Sequence, residues 1–192
     1  VSEYEIYEPA QVRAVLEECG DSPSGLRDGA MIFLLWCTGL RCAEVCDLTP
    51  DDINRRRGRV WVANGKGGKS RTVVTPRAHR AELWKRLDRW LKERDARAWK
   101  DSPLFCSLHG GRLDHSYVRR TFAQLAARAG LACRFHPHGL RHTFAATMHL
   151  AGVDLAEIMQ QLGHNDLSIT GRYLERIGTD VVREIMADFS LE

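Results

Sequence analysis

No Cys-x-x-Cys pair occurs in this sequence, and its six cysteines (Cys19, Cys37, Cys42, Cys46, Cys106 and Cys133) are too sparse for a disulfide framework in 192 residues. Cys37 closes an apolar run, the setting of a reduced, buried thiol, and this usage points to a reducing, cytoplasmic compartment. Long apolar runs are missing too. The longest, Ala30 to Cys37, is far short of the ~20 residues a bilayer-spanning helix needs, so no membrane association is expected. The first residues hold no basic segment followed by an apolar one, so no secretory leader is expected; Val1 in place of Met is expected to mark a fragment. Internal repeats, low-complexity tracts and linkers are lacking, which leaves residues 1–192 as one domain. No charge sign dominates: the net charge of +3 agrees with a polyanionic partner without demanding one. No Asp/Glu cluster at magnesium-ligand spacing accompanies the polar motifs, which argues against a metal-dependent nuclease; neither a metal nor another cofactor is expected.

What is present is mostly helical periodicity. The hydrophobic fraction of 44% is ordinary for a packed core. Pro9 opens a helix carrying Val12, Val15, Leu16 and Cys19 up to Gly20, and Ser24 is expected to cap a second one that runs to Thr38-Gly39. A short helix from Arg41 to about Cys46 follows. The period then changes: Val60 and Val62 alternate around Trp61, and Thr72, Val73 and Val74 lie beyond a glycine-rich stretch, which reads as a hairpin, with Asp52 to Arg55 as a third strand. Pro76 is expected to begin a long helix with Leu83, Trp84, Leu87, Trp90 and Leu91 on one stripe. Leu104 to Ser107 reads as a short extended piece. Further helices are expected around Val118–Ala129, His138–Ala151, Asp154–Leu162, Leu167–Leu174 and Asp180–Phe189. The fold class is therefore mainly α with a small antiparallel β-sheet (α+β).

Three segments place charged groups at breaks in this structure. In Thr38-Gly-Leu-Arg-Cys-Ala-Glu44 the glycine lets the chain turn and Arg41 then opens a helix. In the segment from His136 to His142, His138 and Arg141 are three residues apart at a helix start, hence on one face, where free N–H groups suit a phosphate. Two guanidiniums can clamp the oxygens of one phosphodiester through planar forks, and Arg41 and Arg141 are the pair expected to do so. Taken singly, each arginine reads equally as a partner for a carboxylate of its own domain, with Glu44 one turn from Arg41. Gly65-Lys66-Gly67 sits at the hairpin turn, where a lysine can reach a ligand and donate a proton; Lys69 flanks the same glycines. His164 follows Leu162-Gly163, and Tyr173 lies shortly beyond. A lone helical tyrosine is usually a packing residue, and a lone histidine there a turn residue.

The set in order carries more than its members. The first-arginine segment, Pro137-His-Gly-Leu-Arg-His-Thr-Phe-Ala145, Leu162-Gly-His164 and Tyr173 together resemble the tyrosine recombinase, or phage integrase, family, from about Glu8 to Phe189. The resemblance implies the family's catalytic-domain fold and a site-specific recombinase or integrase of mobile-element type, acting on double-stranded DNA. By the same resemblance Tyr173 is the nucleophile that forms a 3′-phosphotyrosine. Arg41 and Arg141 stabilise the transition state, with Glu44 in support. His138 manages the tyrosine proton, Lys66 protonates the departing 5′-oxygen, and His164 hydrogen-bonds the phosphate. The family also implies a synaptic tetramer, joined through a C-terminal tail helix (residues 179–192), and a nucleoid-associated location in a bacterial or phage setting. Its usual upstream DNA-clamping domain is expected to be absent or removed.

The chemistry is coherent on its own terms. A phenol with a pKa near ~10 is a poor nucleophile until its proton is accepted, and fixed cations are commonly worth several kcal/mol where charge develops. Arg55, Arg57, Lys69 and Arg71, with Arg56, Arg59, Arg77 and Arg80, form a basic zone around the hairpin, either a solvated surface or contacts to the DNA backbone. His138 and His142, at i and i+4 near Cys133 and His136, also leave a zinc site open. The competing readings are type IB topoisomerase-like relaxation, disfavoured by a histidine at position 138, and a catalytically lapsed DNA-binding domain on the same fold.

Overall fold

The computed structural model describes residues 6–63, 70–97, 99 and 102–163. Seven helices and one sheet lie within them: α1 (Pro9–Glu17), α2 (Pro23–Thr38), α3 (Cys42–Asp47), β1 (Ile53–Asn54), β2 (Arg59–Val62), β3 (Arg71–Val74), α4 (Arg80–Asp95), α5 (His115–Arg128), α6 (Pro137–Leu150) and α7 (Leu155–Leu162). The mainly helical class with a small antiparallel sheet is what the periodicity predicts. The hairpin turn and the expected helices after residue 163 lie outside the described residues.

The centre is α2. It packs against α4 and α6, and Ile32, Leu34 and Leu35 are fully buried, so its apolar residues need no single stripe. Ser22 caps it rather than Ser24: the Ser22 hydroxyl accepts from Gly25 N–H at 3.1 Å. Pro23 supplies the preset φ of a first helical residue, which moves the cap in front of it. At the other end Gly39 adopts φ +64°. A Cβ there would meet Phe144 Cδ1 at 2.5 Å and Leu162 Cδ2 at 2.8 Å, so the turn after α2 closes directly onto α6 and α7.

The sheet runs β1-β2-β3, with Val60 opposite Val73 and Val62 opposite Arg71. Val60, Val62 and Val73 are buried while Arg59 and Trp61 face out. The third strand is shorter than expected, since Asp52 closes a 3-10 turn (Pro50–Asp52) instead of pairing. Another 3-10 turn (Arg77–His79) follows Pro76, so α4 starts only at Arg80. Cys106 forms an isolated bridge with Arg112, while Leu104 and Phe105 bend, so the extended piece expected over 104–107 is shorter than that. Gln161 of α7 fastens the sheet's outer edge: its amide accepts from Val74 N–H at 3.0 Å and donates to Val74 C=O at 2.8 Å.

Tyr7, buried at 1% exposure, braces the start of α6. Its hydroxyl donates to Arg134 C=O at 2.7 Å and accepts from His136 N–H at 3.1 Å, and its backbone N–H donates to Thr143 Oγ1. Gly139 is the glycine that this packing demands, because a Cβ would fall on the Tyr7 ring and hydroxyl. Gly139→Ala should therefore cost about 1–3 kcal/mol by overpacking, read as a lowered urea midpoint. A neutral result would mean that Tyr7 does not brace α6 in solution.

Candidate active site

Arg41, His138 and Arg141 line one cleft of about 380 Å³ between the starts of α3 and α6. They reach it from different segments. Arg41 is the residue before α3, whose first turn is closed by Glu44: its carboxylate accepts from the Arg41 backbone N–H at 2.8 Å. His138 and Arg141 project from the first turns of α6, one turn apart.

The two arginines are held mainly by helix ends. Arg141, 4% exposed, donates to Gly39 C=O at 2.7 Å and Leu162 C=O at 2.8 Å. Arg41 donates to Gly163 C=O at 2.9 Å and to Glu44 Oε1 at 2.8 Å. Carbonyls at a helix C-terminus lack intrahelical partners and carry its negative dipole end, so they orient guanidiniums without cancelling their charge. Each guanidinium has five N–H donors, and these contacts use two of them. The pairing of Arg41 with a carboxylate of its own domain is thus real, and it leaves donors for a ligand.

Arg71 is placed differently from the expectation for a backbone-contacting surface arginine. Its side chain is 10% exposed. It pairs bidentately with Glu44 at 2.7 and 2.8 Å, and its Nε donates to Gln161 C=O at 3.1 Å. The signal was available: Arg71 stands two residues before buried Val73, so strand alternation turns it inward, where an arginine requires a carboxylate. Gly163, at φ +66°, makes room for it, since a Cβ would lie 2.9 Å from the Arg71 guanidinium. Gln161 and Tyr7 were also missed; neither belongs to a recognisable pattern, and both act through backbone groups distant in sequence. Among the other basic residues, Arg55 pairs with Asp88, and Arg57 is exposed in the turn after β1.

The electrostatics follow from three cations around one carboxylate. Burial disfavours the Glu44 anion, but hydrogen bonds from Arg71 and from Arg41 outweigh it and hold the carboxyl at about 2. Burial, then the charge of Arg41, presses the Arg141 guanidinium down to about 9, still protonated at neutral pH. His138 is pushed below its ordinary value, first by desolvation and then by Arg141, His136 and Arg41. Its ring is therefore neutral near pH 7 and able to accept a proton. His138 and His142 stack edge to face, with centroids 4.2 Å apart; among the described residues no group of three or more His, Cys, Asp or Glu could hold a metal. Lys66, Lys69, His164 and Tyr173 lie outside the described residues, as does the 179–192 tail.

Because the Glu44 carboxyl falls from an ordinary 4.5 to about 2 in the folded chain, its contribution is complete above pH 4.5 and is lost as the pH drops towards 2. Acid unfolding should show a loss on the order of 3 kcal/mol across that window. Glu44→Gln should be less stable at pH 7 and lack that part of the pH dependence; an unchanged acid profile would contradict the ion-pair arrangement.

Known proteins resemble this chain in both sequence and fold. The sequence profile described as the phage integrase family matches residues 5–177. The tyrosine recombinase XerC of Chromohalobacter salexigens is 40% identical over 153 residues, which cover 79% of this chain and 49% of that protein. XerC of Serratia marcescens is 34% identical over 163 residues, 85% of this chain and 52% of that one. The chain thus spans about half the length of the curated relatives it matches. Among solved structures, the XerA recombinase superposes with a TM-score of 0.77 at 27% identity, covering 100% of this chain and 65% of its own. XerH in a pre-cleavage complex with its difH substrate gives 0.75 at 26% identity, covering 94% and 53%.

Proposed function

The chain belongs to the phage integrase family, and from that premise we propose that it is the catalytic domain of a tyrosine site-specific recombinase, cutting and rejoining DNA through a phosphotyrosine bond. The observation that carries the proposal is the convergence of Arg41, His138 and Arg141 on one cleft, with cationic charge in excess of Glu44. A scissile phosphodiester supplies the missing anion. The two guanidiniums present their remaining donors to its non-bridging oxygens, where charge grows as phosphorus becomes pentacoordinate.

In this mechanism the Tyr173 hydroxyl oxygen attacks phosphorus and its proton passes towards neutral His138. The bond to the 5′-oxygen breaks as Lys66 donates a proton to it, leaving a 3′-phosphotyrosine and a free 5′-hydroxyl. His164 hydrogen-bonds a phosphate oxygen. A 5′-hydroxyl of another strand then reverses the attack, so the bond energy is conserved and no nucleotide triphosphate is consumed. Exposed Arg57, with Arg55 and Lys69, extends backbone contact along the hairpin, while Arg71 works by positioning Glu44.

The same reading includes partner protomers in a synaptic tetramer, joined through the amphipathic tail with Val182, Ile185, Met186 and Phe189. It also includes a cytoplasmic, nucleoid-associated site of action, supported by six free thiols; among the described residues no helix is long and apolar enough to cross a membrane.

A nicked suicide duplex patterned on the palindromic sites of such recombinases tests the chemistry. The wild-type chain should accumulate a covalent protein–DNA adduct, and Tyr173→Phe should accumulate none. Arg41→Ala and Arg141→Ala should each slow adduct formation by about 10²–10³-fold, the usual effect of removing one donor to developing charge. An adduct that persists in Tyr173→Phe would refute the assignment of the nucleophile.

A further inference from the structure

The cleft carries more positive charge than one phosphodiester can answer. Beside the clamp it is lined by His115 and Arg119 of α5 and by Arg134, ahead of α6, and among the described residues no acidic side chain lines it. His115 and Arg119, at i and i+4, share a helix face. Both Arg119 and Arg134 are exposed, and neither forms a salt bridge among the described residues. The Asp114 carboxylate beside them is occupied in capping α5, accepting from Ser116 N–H at 2.7 Å. His115 Nε2 is buried without a hydrogen-bond partner among the described residues.

This wall is also preorganised. Arg119 rides on a helix that packs against α3, and the backbone of Arg134 is pinned by the Tyr7 hydroxyl at 2.7 Å. A phosphodiester bears one negative charge, already exceeded by Arg41, Arg71 and Arg141 against Glu44. A DNA strand adds another such charge every ~3.4 Å of helix axis.

Resting on the recombinase reading, we propose that Arg119 and Arg134 form a second phosphate subsite, which binds a DNA backbone phosphate next to the scissile one. The clamp serves the reacting phosphorus. The wall sets affinity and the register of the strand across the cleft.

The test measures binding of the whole 192-residue chain to a fluorescein-labelled duplex of arbitrary sequence, by anisotropy over a series of salt concentrations. Arg119→Gln and Arg134→Gln should each lower the slope of log K against log salt by about 1, and the double variant by about 2. Arg119→Lys and Arg134→Lys should restore it, because charge and not shape is being read. In the suicide-substrate reaction, followed as a single turnover, the Gln variants should raise the half-saturating protein concentration more than they lower the limiting cleavage rate. A double variant that keeps the wild-type slope overturns the subsite while leaving the clamp reading intact. A wild-type chain whose DNA affinity ignores salt overturns both.

Discussion

Three guanidiniums meet the last carbonyls of one short helix, and the rest of the site depends on that meeting. Gln161, Leu162 and Gly163, at the C-terminal end of α7, accept from Arg71, Arg141 and Arg41 respectively. The donors come from β3, α6 and the residue before α3, so one helix end gathers three separate parts of the chain. Carbonyls at a C-terminus carry the negative end of the helix dipole but no net charge. They can therefore hold cations in place without neutralising them, which a ring of carboxylates could not do.

Among the described residues Glu44 is the one full anion bonded to these arginines, and its geometry lets it serve two of them. It closes the first turn of α3 through the Arg41 N–H and clasps both nitrogens of the Arg71 fork. The remaining charge is left for a ligand, and the folded chain bears the strain of it: Arg141 is buried beside Arg41 and pressed down to about 9. An anion bound beside them would relieve that repulsion, which is the role the proposed function gives to a phosphodiester. The glycines belong to this economy of space. At Gly39 and Gly163 the left-handed backbone and the absence of a Cβ let a carbonyl turn towards an arginine while Phe144, Leu162 or the Arg71 guanidinium lies against the Cα.

The division of labour in the cleft follows from burial. Arg141 is deep, fixed and short of solvent, suited to charge that appears only as a bond breaks. Arg119 and Arg134 are exposed, where the proposed phosphate contact would add affinity that salt can screen. His138 lies between these regimes, open enough to meet a substrate and cationic enough in its surroundings to stay neutral.

Much of this was legible from one dimension. Helical period, proline and glycine punctuation, and the change to alternation at Val60–Val62 determined the class of fold and most element positions. The order of Arg41, Lys66, His138, Arg141, His164 and Tyr173 pointed to the chemistry, because reaction type is set by residue kinds in recurring local settings. Ser24 for Ser22, and Pro76 for Arg80 as the start of α4, were local errors: Pro23 takes the first helical position and moves the cap ahead of it, and a 3-10 turn intervenes before α4. The supports of the clamp were decided only by tertiary structure. Arg71 looked like one more basic residue of a charged hairpin, Gln161 like an ordinary polar helix position, and Tyr7 like a stray aromatic before the first helix. Each acts through a hydrogen bond to a partner far along the chain, and such a bond leaves no local periodicity or motif from which it could be read.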